Sequence, residues 1–386
     1  MALIPTDLLQ KVAIDTKVNS SVSKLTGEKM FSLLLYGLTS GKEISLRILE
    51  DLFNSPLFQP LAQHQSICHS SIGARLQTMN PDFFKQIFEC LTNDARVARW
   101  VGAAAKKYAI KKNDSTIVSL SSKLLTAGMK INEGKTDLKF TVAISEGMPI
   151  DIELFTEQTF ASEDKAMPTV MRRNKAKSSD KTTILIFDRG VRKRDTFDEI
   201  NAMENTFFVT RWSGQAYRVD RTHSQIKGRP AGSLLLENDE EIHFESTREK
   251  RSTPYRLVTA TDPILNKKYY FLTNIFFLNA VEICEMYKSR WEIETFFKFI
   301  KQHLNFSHLV SRSENGITIM MYLTMIAALL IAVYKKVNRI TGWEIAKRHL
   351  VRELEAYVIT MYPETLISLR SLAGFSNNFS LRLNSS

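Results

Sequence analysis

Residues 317–334, ITIMMYLTMIAALLIAVY, run for 18 residues without a charge. A helix that is apolar on every side either spans a bilayer, for which such a run reaches the lower length limit, or is enclosed in the core of a large domain. Two threonines interrupt the run and no second segment matches it, so the expectation is a buried core helix and no membrane partner. That choice demands protein on all sides of it. With 386 residues, 44% of them hydrophobic, the chain has material for such a core and for two or three structural units.

Charge narrows the partners. A formal net charge of +11 and a pI near 9.4 favour a polyanion, nucleic acid first, although charge balance says little about fold. Cys68, Cys90 and Cys284 are far apart, odd in number and form no CxxC, which argues against a disulfide framework or a zinc site and suits a reducing cytoplasm. The first twenty residues have no charged segment followed by an apolar one, so a secretory signal is not expected.

The texture changes along the chain. Residues 1–105 read as a helical N-terminal domain, with apolar residues at three- and four-residue spacing in TGEKMFSLLLYGLTSG, EISLRILEDLFNS and SSIGARLQTMNPDFFKQIFECLTND. Short helices of this kind are compatible with plain helical packing or with a DNA-reading helix-turn-helix. Strands follow. TIVSLSSKLL and LKFTVAISEG are short and β-rich, and TTILIFDRG is a continuous apolar run suited to a central strand buried on both faces. The basic stretch 171–181, MRRNKAKSSDK, reads as an exposed connection. Residues 207–275 alternate strand-like runs with turn residues, long helices occupy 276–345, and 346–386 is a helix with a frayed tail.

The segment YKSRWEIETFFKFIKQHL, 287–304, combines an apolar face with a patterned polar one. Read as one helix at about 100° per residue, it places Tyr287, Arg290, Glu294, Lys298 and Lys301 in one stripe about 80° wide. Ile293, Phe296, Phe297, Ile300 and Leu304 form the adjoining apolar face. By itself the stripe is consistent with an amphipathic helix carrying an ordinary i,i+4 ion pair. Two more carboxylates lie near strand ends: Asp188 closes the buried run, and Asp114 opens the first strand-like one. Alone, Asp114 fits a turn or cap, and Asp188 fits the acid of a dinucleotide fold, but the glycine-rich turn of that fold is absent. Three carboxylates in a basic protein, without His or Cys clusters, suit hard oxygen-preferring Mg²⁺. Two such ions roughly 3.5–4 Å apart activate an attacking oxygen and stabilise the leaving one in an in-line phosphodiester displacement.

With DST at 114, DRG at 188 and the Y-x2-R-x3-E-x6-K pattern of Tyr287, Arg290, Glu294 and Lys301, the chain resembles the DDE transposases of the IS4 family. The resemblance covers roughly 108–340 and only loosely the N-terminal region. It implies an α/β fold: an RNase H-like catalytic domain over 106–206 and 276–345, interrupted by a β-rich insertion at 207–275 and preceded by a helical domain that binds DNA ends. It implies that Asp114, Asp188 and Glu294 are catalytic and hold two Mg²⁺ ions, with Mn²⁺ as a substitute. Tyr287, Arg290, Lys298, Lys301 and Arg189 would contact DNA near the cleaved end, and Trp212 would stack on an extruded base. The implied activity is cut-and-paste recombination: recognition of terminal inverted repeats in double-stranded DNA, strand cleavage, and transfer of the ends to target DNA by a homodimer in a bacterial cytoplasm, associated with the nucleoid. The alternatives are an inactive regulator that occupies the DNA ends and a nuclease of the same fold that cuts without strand transfer.

Overall fold

A computed structural model describes residues 4, 6–41, 43–63, 65–100, 106–121, 128–131, 135–176, 181–213, 217–223, 226–244, 253–306 and 310–361. The chain divides into two compact units: Met1–Val101 with Lys298–Ser386, and Gly102–Phe297. The first unit begins with α1 (Thr6–Asp15), α2 (Gly27–Ser40), α3 (Leu46–Asn54), α4 (Gln59–Ala62), α5 (His69–Thr78), α6 (Asp82–Thr92) and α7 (Ala95–Trp100). The helix starts are legible in the residues. Thr26 and Ser45 accept from the Lys29 and Ile48 amides, satisfying donors that a helix cannot pair internally. Behind Pro81, α6 buries Phe83, Phe84, Ile87, Phe88 and Leu91 on one face.

The second unit is a mixed sheet with helices on both sides. In chain order it comprises β1 (Ala109–Ser121), β2 (Lys135–Ser145), β3 (Met148–Phe155), α8 (Glu163–Arg173), β4 (Thr183–Phe187), α9 (Arg194–Asn201), β5 (Thr206–Arg211), β6 (Tyr217–Thr222), β7 (Pro230–Ala231), β8 (Leu234–Phe244), β9 (Tyr255–Asp262), β10 (Lys267–Thr273) and α10 (Ala280–Lys288). It leads into α11 (Trp291–His303). Strand order is β3-β2-β1-β4-β5-β10-β9-β8-β6, with β7 beside β8. The β3-β2-β1 end is antiparallel, whereas β1, β4 and β5 are parallel neighbours, an arrangement that fits the RNase H-like expectation. The β-rich segment expected at 207–275 joins this same sheet edge to edge through the β5–β10 pairing.

Strand β4 has the two-sided burial that its apolar run predicts. Leu185 and Phe187 pack with Met167, Met171 and Phe197 on the side of α8 and α9. Ile184 and Ile186 pack with Ala280, Ile283 and Cys284 on the side of α10. Two local expectations are corrected. Asp114 is neither a turn nor a cap residue; it lies inside the thirteen-residue β1. Where the runs expected over 207–275 alternate with turn residues, Leu234–Phe244 is instead one unbroken strand, β8, with an irregularity in its pairing between Leu236 and Asn238.

After α11 the chain returns to the first unit with α12 (Glu314–Val337) and α13 (Trp343–Met361). The uncharged run lies in α12, which packs against α2, α5, α6 and α13. Among the described residues α12 alone is long and apolar enough to cross a membrane, but 89% of its most apolar window is buried within the protein. It is a core helix, as expected. The basic stretch begins inside α8 with Met171, Arg172 and Arg173, and its residues 177–180 lie outside the described residues, as does the tail after 361.

Candidate active site

Register brings the first two carboxylates together. The β1–β4 pairing ends at Asn113 opposite Phe187, so Asp114 and Asp188 are the next residues on two neighbouring parallel strands. Side chains alternate across a strand, which puts Lys112 and Asp114 on one face and Asn113 and Ser115 on the other. The contacts agree: Lys112 Nζ meets Glu292 Oε2 at 2.9 Å and Asp114 meets Arg290 at 3.7 Å, whereas the Ser115 hydroxyl donates to Glu163 at 2.9 Å.

The third carboxylate arrives with a correction. Residues 287–304 do not form one helix: α10 ends at Lys288 and α11 begins at Trp291. Between them Arg290, Glu292 and Ile293 amides donate to Tyr287, Ser289 and Arg290 carbonyls, i→i+3 bonds that tighten the chain into a turn. The stripe drawn from Tyr287 as a continuous helix therefore breaks at Ser289–Arg290. The break aims the Tyr287 hydroxyl at Asp188, 3.3 Å away, from a ring packed on Phe271. The apolar face survives: Ile293, Phe296, Phe297, Ile300 and Leu304 are all buried.

Arg290 stands among the acids. Its guanidinium pairs with Glu294 at 2.5 Å and with Asp114 at 3.7 Å, and its own side chain is only 12% exposed. Burial pushes the Asp114 carboxyl up to about 6; the Ser115 amide and Arg290 oppose that rise, and the charges of Asp188 and Glu163 add to it. Burial likewise pushes the Tyr287 phenol up to about 12, so it remains a neutral hydroxyl donor toward Asp188.

The other expected residues are placed less centrally. Arg189 is exposed, and its amide donates to Asp188 at 2.7 Å. Lys298 and Lys301 lie on the exposed side of α11. Trp212 is 7% exposed and packs on Tyr217 and Phe244 in the core, so stacking on a base would require it to leave that packing. Three groups near the acids escaped sequence reasoning: Lys112, Lys139 and Glu163. Their only signal was a lysine at an inward position of a strand, which alternation alone does not distinguish from a solvated one.

The donors here are all oxygens, and burial makes the ionisation of Asp114 costly, which fits a hard divalent cation. Asp114 and Asp188 would hold it, with Glu294 the third donor. Glu294 is engaged by Arg290, and among the described residues no three acidic, His or Cys side chains converge on one point as they stand.

Residues 110–330 match the family of the transposase DDE domain. A protein of Sinorhizobium fredii described as a transposase is 32% identical over 162 residues, 40% of this chain and 44% of that protein. One described as the transposase for insertion sequence element IS4SA, from a Synechocystis species, is 25% identical over 219 residues, 56% of this chain and 58% of its own. A third, from Geobacillus stearothermophilus and described for element IS5377, is 32% identical over 85 residues, 22% of each chain. The chain thus spans 44% and 58% of the lengths of the first two relatives, about half.

Proposed function

The chain belongs to the transposase DDE domain family, and from that premise we propose that it is the transposase of an insertion sequence, binding the terminal inverted repeats of its element, cleaving them and joining the freed 3′ ends to target DNA. The observation that supports this reading is that Arg290 pairs with both Asp114 of β1 and Glu294 of α11, while Tyr287 donates to Asp188 at the end of β4. The bound divalent ions, two Mg²⁺ with Mn²⁺ as a substitute, would supply activation of the attacking oxygen and stabilisation of the leaving one.

The residues of the chain do the rest. Asp114 in β1 and Asp188 just past the end of β4 would hold the ions together with Glu294. Tyr287 keeps the Asp188 carboxylate turned by its hydroxyl. Arg290 balances the charge of Asp114 and Glu294, and its planar donors are suited to a phosphate oxygen. Lys298, Lys301 and Arg189, all exposed, grip backbone phosphates beside the scissile bond. The helices of 1–101 read the ends, and a homodimer pairs two of them.

The test is Mg²⁺-dependent cleavage of a plasmid carrying the gene with its native flanking DNA. The parent should cut at the element's ends and yield joined products, and Glu294→Gln should abolish both while retaining end binding. End binding without cuts by the parent would replace this reading with that of a regulator; cuts never followed by joining would leave a nuclease. Unchanged cleavage by Glu294→Gln would sink the site.

A further inference from the structure

On the face of the sheet opposite Arg290, one glutamate reaches a residue beside each of the two aspartates. Glu163, the first residue of α8, accepts from the Ser115 hydroxyl at 2.9 Å, and Ser115 is the neighbour of Asp114. Its other oxygen meets Lys139 Nζ at 2.9 Å. Lys139 is 1% exposed, sits in β2, and also donates to the Ala161 carbonyl at 2.9 Å, so the Glu163 carboxylate is held by a buried and fixed donor. The Ser115 hydroxyl is 2.8 Å from that of Thr141, which ties the same point to β2 again.

The stem of Glu163 reaches the second aspartate's turn. A Cβ built on Gly190, two residues after Asp188, would lie 2.8 Å from Glu163 Cγ, closer than real Cβ atoms approach a neighbour. The glycine of DRG is therefore required for space, because the Glu163 side chain lies against it. β4 pairing has ended at Phe187, so past that point no ladder bond holds the 188–190 turn to β1. Glu163 fills that gap.

We propose that Glu163, held by the buried Lys139, is a positioning residue that braces Ser115 and the Gly190 turn to one another and so fixes the spacing of Asp114 and Asp188. This rests on the carboxylate site proposed above. Outer partners that orient metal-binding side chains typically contribute a factor of about 10–100 in metal affinity.

The experiment measures Mn²⁺ binding to the full chain without DNA, by electron paramagnetic resonance of the free ion, beside thermal unfolding of each variant. Glu163→Gln keeps the stem on Gly190 and an oxygen for Lys139, and should bind Mn²⁺ within about threefold of the parent, whereas Glu163→Ala should weaken binding by about tenfold or more. Gly190→Ala should weaken it in the parent and add less in the Glu163→Ala background, where the Cγ at 2.8 Å is gone and only the Cβ at 3.2 Å remains. Equal loss in Glu163→Gln and Glu163→Ala would overturn the brace in favour of a direct ligand. A lowered unfolding midpoint with unchanged Mn²⁺ affinity in Glu163→Ala would overturn it in favour of a purely structural pair. Asp114→Asn separates the two levels: lost binding there with intact binding in Glu163→Ala sinks the brace alone, and intact binding in both sinks the site as well.

Discussion

Replacing Asp114 with asparagine removes an ionisable group and keeps its shape. The side chain is 22% exposed, and burial pushes its carboxyl up to about 6 from an ordinary 3.8. Between those values the folded protein holds a proton that the unfolded chain has released, so this group's contribution to stability falls as the pH rises from 3.8 to about 6 and stays lost above that. The difference, 6 − 3.8 = 2.2, at about 1.4 kcal/mol per tenfold, gives about 3 kcal/mol. Asparagine still accepts the 2.8 Å bond from the Ser115 amide, and Arg290 still has Glu294. In urea unfolding with a chelator present, Asp114→Asn should therefore match the parent near pH 4 and exceed it by up to about 3 kcal/mol at pH 8. Mg²⁺ should then close the gap by stabilising the parent alone, by about 2.7 kcal/mol at a hundred times its dissociation constant. A variant no more stable than the parent at pH 8 in chelator would refute the claim that this acid is held at a cost to the fold.

Two further perturbations follow from the same contacts. Arg256 is 1% exposed and forks onto the fully buried Asp239 with two bonds of 2.8 Å, while also donating to the Ile275 and Leu278 carbonyls. Arg256→Met should cost about 3–5 kcal/mol by stranding the carboxylate, measured as a urea midpoint, and adding Asp239→Leu should recover most of it. Lys301→Ala should weaken binding to the element's ends and lower the slope of log affinity against log salt by about 0.9, as one lost phosphate contact does.

Parts of the fold were readable because residues recur at spacings a helix or strand enforces. The apolar run TTILIF announced a strand covered on both sides, and the uncharged run announced α12. The Arg290–Glu294 pair needed only i,i+4 proximity. What escaped has a common cause: partners far apart in sequence. Periodicity carries no information on which strand lies beside which; that Asp114 and Asp188 share a site was implied only by the resemblance, and the β1–β4 pairing that brings them near one another came from the fold. Lys112, Lys139 and Arg256 are charges in strands that look half-solvated on paper and are buried because Glu292, Glu163 and Asp239 meet them from distant segments. The turn at Ser289–Arg290 was missed because neither residue is a strong helix breaker, although i→i+3 bonds close it.

The helical unit is written in two instalments, residues 1–101 and 298–386, with the whole sheet between them. At roughly 5–20 residues per second, a ribosome that has finished α7 needs on the order of 10–50 s to deliver α12. During that interval the faces of α2, α5 and α6 that α12 covers are without their partner, while the continuous stretch 102–297 already has every strand it pairs with. Synthesis order therefore makes the carboxylate-bearing sheet complete before the helical unit, and leaves the early helices as the stretch most dependent on chaperones or exposed to proteases.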